Sequence, residues 1–517
     1  MRGDLMLGSA QRRRISRPVL QGRITPLHLL VLAGVSVACL AGTAYLVVEG
    51  VSPDVGSPGI SFACLGLVSV ATLLPLSIPR NTGCVSARFI VEPIALLNSL
   101  YFALGPALSV AFIARGIPVN ISPTVPLVLS LGFLTLHLGI RAARGLRSKA
   151  REQGYAKCAA LAPTLVSSVV LLWILRLALL VQGLGITHGP SIAAYSRDLA
   201  TDAVATSALG FVPLSLCLAR LCRSSEQTRD TPLWRAALMG VVGSDCLYYL
   251  VLGWRLYLLW ELVIVFWAWR SRPGCVPRRL IVGAALAIVV AIPLVYAQRA
   301  VLGTMDLTTH ENQVEFIAGK LAPAEQGLGS ERIMEETRQG FIGDAVGRWN
   351  AVQWFSEVAY QHFDSGYNLL LGSSWRYGLP FMIPRWLWPG KPVQENIDAI
   401  IDHHFGLFPT DELTTTETEM FANFGVFGLW AWMFVYGIIA GKVALTLAAP
   451  PPLRESTLFL AFCTMPVIFL VETDTVGILA ALRLPLILWL ALTVFERQRE
   501  IDVAPLQPQG NLIAREA

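Results

Sequence analysis

Cationic and aromatic side chains alternate in the polar segment between residues 298 and 424, most densely in the stretch IPRWLWPGKP at 383–392. The guanidinium of arginine keeps its proton in any protein environment, and its planar fork binds two phosphate oxygens at once. Indole rings beside such cations suit packing against sugar rings and guanidinium groups. The pattern therefore indicates a site for a ligand that carries phosphate and sugar.

Four further arginines lie in or at the ends of apolar stretches: Arg176, Arg255, Arg299 and Arg483. A charge at the centre of a membrane helix costs about 2.5–3.5 kcal/mol, so such a residue usually faces a cavity or a partner. One interpretation is that these arginines bind an anionic ligand at the outer leaflet, and we favour it for Arg255. The other is that they pair with nearby acids, namely Asp245, Glu261, Glu472 and Asp474. Pairing is the better interpretation for Arg483, and both stay open for Arg176.

The polar segment itself contributes a second cationic group, formed by Arg348, Arg376, Arg385 and Lys391. Three tryptophans suited to the membrane–water interface accompany it: Trp375, Trp386 and Trp388. A proton acceptor is expected among the acids and histidines that follow: Asp398, Asp402, His403, His404, Glu417 and Glu419. Because the sequence has neither a glycine-rich phosphate loop nor an HExxH motif, we predict no nucleotide, no cofactor and no metal site.

The composition is that of a membrane protein. Of the 517 residues, 54% are hydrophobic and only 15% charged, and the mean hydropathy is +0.57. The apolar residues come in blocks that match the roughly 20 residues of helix needed to cross a bilayer. Because the backbone must satisfy its own hydrogen bonds in lipid, these blocks are predicted to be helices. The fold class is thus an all-α polytopic membrane protein with about twelve transmembrane helices.

Charge and cysteine usage exclude several other classes. The net charge of +5 comes from positive residues at helix ends, where they set orientation, so we predict no nucleic-acid partner. The nine cysteines include no CxxC pair, and none lies between residues 298 and 424. Such a dispersed, odd set fits neither a disulfide framework nor a zinc site.

The positive residues also predict the topology. An arginine-rich segment, 1–26, precedes nine spans at 27–297, among them spans near 124–140 and 203–219. The polar segment 298–424 follows, then three spans at 425–495, near 425–441, 457–471 and 476–495, and a tail at 496–517. With both termini in the cytoplasm, every strongly basic short loop falls on the same side. The polar segment is then one large outer loop, in which we expect amphipathic helices and re-entrant turns around a polar pocket. A passive, solvated loop anchored by tryptophans is the alternative.

Three stretches carry a resemblance to a known family. They are GWRLYLL at 253–259, IPRWLWPGKP at 383–392, and the threonine-rich stretch that leads through NFGVFG into the helix FGLWAWMFVYG. In these the chain resembles the bacterial oligosaccharide repeat-unit polymerases, the Wzy-type O-antigen or capsule polymerases, which share a superfamily with the O-antigen ligases. The likeness covers roughly the second half of the chain. Trp254 departs from the family, where Gly or Ser more often precedes the arginine.

The resemblance implies a membrane glycosyltransferase of the bacterial cytoplasmic membrane. Its substrates would be oligosaccharides linked to undecaprenyl pyrophosphate, and its partners membrane lipid and a chain-length-determining copolymerase. The acceptor hydroxyl attacks the anomeric carbon, and fixed cations stabilise the departing pyrophosphate. Residues implied in catalysis are Arg255, Arg348 and Arg385, with Glu417 or His404 as the base. Residues implied in substrate binding are Arg176, Arg299, Arg376, Lys391, Trp375, Trp386 and Trp388.

Three other functions compete with this interpretation. An O-antigen ligase would use the same donor with a different acceptor. A lipid-linked oligosaccharide flippase or other transporter would carry charged residues through many helices and lack a large outer loop, which this sequence does not favour. A non-enzymatic scaffold of an export complex would use the tryptophan–arginine stretch only to dock a partner.

Overall fold

The computed structural model describes residues 100–106, 124–145, 211–223, 232–252, 351–378, 397–407, 415–448, 454–469 and 474–503, with a few short runs and single positions elsewhere. Within these ranges every regular element is a helix. Three helices are long and apolar enough to cross a membrane: Thr124–Ala143, Thr416–Leu447 and Thr475–Gln498. Two apolar helices are shorter, Val212–Cys222 and Glu455–Ile468. The described part of the chain is thus a helical membrane protein, as its hydropathy predicts.

We number the helices in chain order. They are α1 Thr124–Gly145, α2 Val212–Arg223, α3 Pro232–Leu252, α4 Ala351–Phe363, α5 Ser373–Gly378, α6 Ile397–Phe405, α7 Thr416–Ala448, α8 Glu455–Ile468 and α9 Thr475–Val503. A short π-helical segment, Leu100–Leu104, precedes α1, and its Phe102 packs edge-on against Phe133 with ring centroids 5.4 Å apart. Of the spans predicted at 203–219 and 457–471, the first is described from 212 onward and the second begins at Glu455.

Helices α1 and α7 pack in parallel through small residues. A Cβ on Gly139 of α1 would lie 2.1 Å from the carbonyl oxygen of Phe434, and one on Gly437 of α7 would lie 2.1 Å from that of Leu136. Glycine at both places lets the two backbones touch, as in membrane helix pairs with small residues four apart. At the start of the crossing, the indole nitrogen of Trp430 donates to the carbonyl oxygen of Val128 at 3.1 Å.

Helix α7 consists of two helices joined by a reversal at Gly425. The backbone of Gly425 has φ 64° and ψ −156°, a conformation that is essentially restricted to glycine. A Cβ on Gly428 would meet the side chain of Phe424 and, at 2.9 Å, the carbonyl oxygen of Met420. In a straight helix Met420 would be about 12 Å away along the axis. Residues 416–424 (α7a) therefore fold back beside residues 426–448 (α7b), and α7b alone rises about 34 Å, enough to span a bilayer.

Charged side chains tie α2, α8 and α9 together at one end of the bundle. Arg220, near the end of α2, forms a buried ion pair with Glu455 at the start of α8. Glu496, late in α9, accepts hydrogen bonds from the backbone nitrogen of Glu455 at 2.7 Å and from the hydroxyl of Ser456 at 2.6 Å. Glu496 thereby occupies the N-terminus of α8, where a negative charge is favourable. Helices α8 and α9 are consequently antiparallel, and this group of four residues is called the charged end.

The polar segment folds against the bundle through α4, α5 and α6. Most of α4 is buried, including Trp354 and Phe355, and the ring of Phe355 lies 5.0 Å from that of Phe421 on α7a. The indole nitrogen of Trp354 donates to Asp402 of α6 at 3.1 Å. Helix α4 is therefore part of the core. The sequence predicts amphipathic helices on the outer leaflet in this segment, and it does not predict that one of them is mostly buried.

Candidate functional site around Glu419

The site begins with a helix start that the sequence dictates. Thr415 precedes α7a, and its hydroxyl accepts a hydrogen bond from the backbone nitrogen of Thr418 at 3.2 Å. This is the side-chain cap that threonine provides at a helix N-terminus. Glu417 and Glu419 follow within the first turn, where the helix dipole stabilises negative charge. The threonine-rich stretch thus forms the capped start of a helix that carries two carboxylates.

Glu419 joins three elements at one point. The hydroxyl of Ser374 on α5 donates to one carboxylate oxygen at 3.0 Å, and the backbone nitrogen of Thr475, the first residue of α9, donates to the other at 2.6 Å. Both Glu419 and Ser374 are fully buried. Glu419 therefore links α5, α7a and α9 through hydrogen bonds to both of its carboxylate oxygens. We call this group, with Asn423 and Asp474, the Glu419 junction.

Asn423 completes the junction from the last turn of α7a. Its side-chain nitrogen donates to the hydroxyl of Ser374 and to the carbonyl oxygen of Glu419, each at 2.8 Å, and its side-chain oxygen accepts from the backbone nitrogen of Gly372 at 3.1 Å. Every polar atom of this buried amide is therefore satisfied, which a buried polar group requires. The amide fixes the loop before α5 onto α7a.

The reversal at Gly425 explains why this loop can dock there. A helix end leaves carbonyl oxygens without partners inside the helix. Here the backbone nitrogens of Leu370 and Leu371 donate to the carbonyl oxygens of Ala422 and Asn423, both at 2.9 Å. The loop thus satisfies the end of α7a, and Trp375 adds an edge-on contact with Phe424, with ring centroids 5.4 Å apart.

Asp474 supplies a further carboxylate at the edge of the junction. It precedes α9 and accepts a hydrogen bond from the backbone nitrogen of Gly477, three residues on, as a helix cap does. Burial raises the pKa of Asp474, while hydrogen bonds from backbone nitrogens partly oppose that rise. The junction therefore holds two carboxylates near the start of α9. The residues that the structure describes include no group of three histidine, cysteine, aspartate or glutamate side chains that could hold a metal ion.

A second polar group surrounds His404. Its Nε2 donates to the carbonyl oxygen of Asn368 at 2.7 Å, and Nδ1 of His362 donates to the carbonyl oxygen of Tyr367 at 2.8 Å. The two histidines thereby hold the loop between α4 and α5. Glu357 lies on α4 and is influenced by Asp402 of α6. Burial raises the pKa of its carboxyl, a hydrogen bond from Gln353 lowers it, and the charge of Asp402 raises it again.

The structure separates the two bases predicted from the sequence. Glu417 is only 4% exposed and accepts a hydrogen bond from the hydroxyl of Thr416 at 3.2 Å, whereas His404 is partly exposed and binds the loop backbone. In the described ranges no contact joins these two side chains. They are therefore alternatives, with Glu417 inside the bundle and His404 on α6, beside the loop between α4 and α5.

The other predicted site residues fall into two groups. Arg376 is exposed on α5, Trp375 packs inside the protein on Phe424, and Trp388 is 41% exposed. The remaining predicted residues lie outside the described ranges: Arg176, Arg255, Arg299, Arg348, Arg385, Lys391 and Trp386. Of the cations predicted to bind substrate, the described structure thus places Arg376, on the helix that Ser374 anchors to Glu419.

Sequence reasoning missed four members of the junction: Ser374, Asn423, Asp474 as a helix cap, and the backbone of Thr475. Glu419 was among the proton-acceptor candidates but had no partner assigned. One signal was present, since Gly425 closely follows Asn423 and glycine is the residue that most often ends a helix. Nothing local in the sequence connects Ser374 with Glu419.

Comparison with protein-family profiles, with curated proteins and with solved structures found no match to this chain.

Proposed function

We propose that this protein polymerises lipid-linked oligosaccharide repeat units at the outer face of a bacterial cytoplasmic membrane. It would transfer the growing glycan from undecaprenyl pyrophosphate to the next lipid-linked unit. The proposal includes about twelve transmembrane helices, both termini in the cytoplasm, and the segment 298–424 outside. A chain-length-determining copolymerase is the expected protein partner.

The observation that carries the proposal is α7a, a helix with two buried glutamates folded back against the helix that spans the membrane. Ionisable residues in such a position are costly and are retained mainly where they serve a function. Broken helices in membrane proteins occur where they line a cavity or are enclosed by protein. Beside α7a lies α5 with the exposed Arg376, so acidic and cationic side chains come from neighbouring elements.

The chemistry divides between these two kinds of residue. The oxygen of the acceptor hydroxyl forms a bond to the anomeric carbon, and the bond from that carbon to the pyrophosphate oxygen breaks. The hydroxyl proton passes to Glu417 or His404, and negative charge develops on the undecaprenyl pyrophosphate that leaves. Arginine side chains aimed at that charge lower the barrier without a metal. Arg255, Arg348 and Arg385 are proposed for this role, and Arg376 for binding the substrate.

A flippase for lipid-linked oligosaccharides is the second candidate, and the reversal at Gly425 is the observation in its favour. Transporters often bind substrates at discontinuous helices. An O-antigen ligase-like enzyme remains a variant of the first candidate, because it differs only in the acceptor.

The first experiment measures lipid-linked glycans in cells with and without the gene. A polymerase predicts that single repeat units accumulate on undecaprenyl pyrophosphate at the outer face, where a membrane-impermeant lectin reaches them in spheroplasts, and that long polymer is lost. A flippase predicts that the accumulated units stay inside, and a ligase predicts full-length polymer left on the lipid. If neither pool changes, the proposal is wrong.

Variants then test the residues. Arg255→Ala and Arg385→Ala should abolish long polymer in a protein that inserts normally, because each removes a proposed contact to the leaving group. Arg497→Ala is the matched control, since Arg497 is exposed near the charged end, and it should leave the polymer unchanged. Normal product from both single variants and from the double variant would refute the assignment of these arginines.

A further inference from the structure

Helix α5 is too short to hold its own position. It has only six residues, and helices of that length are unstable without tertiary contacts. Its polar anchors are the hydroxyl of Ser374, bonded to Glu419 and Asn423, and the bond from Gly372 to Asn423 just before the helix. The ring of Trp375 adds a contact with Phe424. The polar part of this anchoring belongs to the Glu419 junction.

Ser374 and Arg376 lie on opposite sides of this helix. At about 100° per residue, positions two apart differ by about 200°, and Ser374 is accordingly fully buried while Arg376 is exposed. The anchor on the inner side thus fixes the direction in which Arg376 projects. Glu419 also accepts a hydrogen bond from the backbone nitrogen of Thr475, the first residue of α9. Helix α9 has 29 residues and provides a rigid support for the junction.

We propose that Ser374, Glu419 and Asn423 are positioning residues that hold Arg376 toward the pyrophosphate of a polyprenyl substrate. This inference rests on the proposed function for the choice of ligand. None of the three residues contacts the substrate: the carboxylate oxygens of Glu419 are occupied by α5 and α9, and the polar atoms of Asn423 by Ser374, Glu419 and Gly372. Arg376 alone in this group makes the contact, and the junction keeps it preorganised.

The test is a double-mutant cycle on purified full-length protein in nanodiscs, with undecaprenyl pyrophosphate as the probe. Arg376→Ala should weaken binding about tenfold, the loss that one charge-assisted contact produces. Ser374→Ala should weaken it by at least about threefold. The double variant should bind no more weakly than Arg376→Ala, because Ser374 acts only through Arg376. In steady-state polymerisation, Ser374→Ala should raise KM and leave kcat nearly unchanged.

Ser356→Ala is the matched control. Ser356 is also a buried serine, but its hydroxyl donates to the carbonyl oxygen of Val352 in its own helix, α4. This variant should bind the probe as the wild type does. If Ser374→Ala inserts poorly, Glu419→Gln replaces it, since the amide keeps the shape of the side chain and loses its charge.

The outcomes separate this inference from the proposed function. The inference would be overturned if the losses of affinity from Ser374→Ala and Arg376→Ala multiply in the double variant. Unchanged binding in either single variant would also overturn it, and so would a wild type that does not bind the probe. Coupled losses in a protein that forms no polymer would support the positioning role and refute the polymerase.

Discussion

Asp474 caps the helix that Glu419 holds at Thr475. Its carboxylate accepts a hydrogen bond from the backbone nitrogen of Gly477, and burial raises its pKa above the usual 3.8. The folded protein therefore holds this proton to a higher pH than the unfolded chain does. By linkage, the stability that Asp474 contributes is fully present below pH 3.8 and is lost as pH rises through the higher folded-state pKa.

Two substitutions separate the cap from the charge. Asp474→Asn keeps an oxygen for the backbone of Gly477 and removes the titration, so the free energy of unfolding should fall less between pH 4 and pH 8 than in the wild type. Asp474→Ala removes the cap as well and should be about 1 kcal/mol less stable than Asp474→Asn at every pH. Thermal unfolding of the detergent-solubilised protein across this range measures both effects. Equal pH slopes in Asp474→Asn and the wild type would contradict the assignment.

At this scale the sequence identifies side chains but not their partners. Glu417 and Glu419 can be selected because two carboxylates directly precede an apolar helix. The bonds that define the junction join Glu419 to Ser374, 45 residues earlier, and to Thr475, 56 residues later. Such contacts depend on how helices pack, and no local pattern encodes them. This is why the sequence offers Glu417 and His404 as alternative bases but does not show that they lie in separate places.

The reversal at Gly425 is the element on which the site depends. Its backbone conformation is open only to glycine at low cost, and a Cβ there would lie 3.1 Å from a methyl group of Leu369. Gly425→Ala should therefore destabilise the protein by about 1–3 kcal/mol and disturb the loop that bonds to Ala422 and Asn423. Gly243→Ala is the control: Gly243 lies within helix α3 with open space around it, and alanine favours a helix.

Unfolding midpoints of the two variants in the same detergent measure this difference. Gly425→Ala should unfold earlier than the wild type, and Gly243→Ala at the same temperature or later. If Gly425→Ala is as stable as the wild type, α7 is one continuous helix and the junction does not exist in this form.

The crossing of α1 and α7 gives a second test between matched glycines on one helix. A Cβ on Gly139 would overlap the carbonyl oxygen of Phe434, whereas one on Gly132 would make ordinary contacts at 3.7 Å with Leu429 and Trp430. Gly139→Ala should force the backbones apart and lower stability by about 1–3 kcal/mol. Gly132→Ala should be neutral or slightly stabilising. Similar unfolding midpoints for both variants would refute close packing at Gly139.

Helix positions are the part of the fold that hydropathy predicts well. The span expected near 124–140 is α1, and the last span, expected near 476–495, is α9. Helix α7 shows the limit. The span expected at 425–441 corresponds to α7b, but the helical fold-back of 416–424 beside it depends on one glycine conformation and on long-range hydrogen bonds. Hydropathy averages over about 19 residues and does not detect such a reversal.

On the scale of the whole molecule, the helices that the structure describes have two unlike ends. Between Thr475 at the Glu419 junction and Glu496 at the charged end, α9 rises about 32 Å, close to the thickness of a bilayer core. Helix α1 is parallel to α7b and reaches the charged side with Arg141, which is exposed. The described basic residues Arg141 and Arg220 therefore lie at one end, and the helices of the polar segment pack toward the other.

This arrangement predicts which residues a membrane-impermeant maleimide can label in spheroplasts. Ser365 and Gln498 are both exposed; Ser365 lies in the loop between α4 and α5, and Gln498 lies two residues beyond Glu496 at the charged end. In a chain whose native cysteines are replaced, Ser365→Cys should react in intact spheroplasts, and Gln498→Cys only after permeabilisation. The physical reason is that the positive-inside rule predicts a cytoplasmic position for the basic residues at the charged end. The opposite labelling would reverse the topology and place Arg376 away from an outer-leaflet substrate. Labelling of both from the same side would contradict the two-ended structure itself, because α9 would then not cross the membrane.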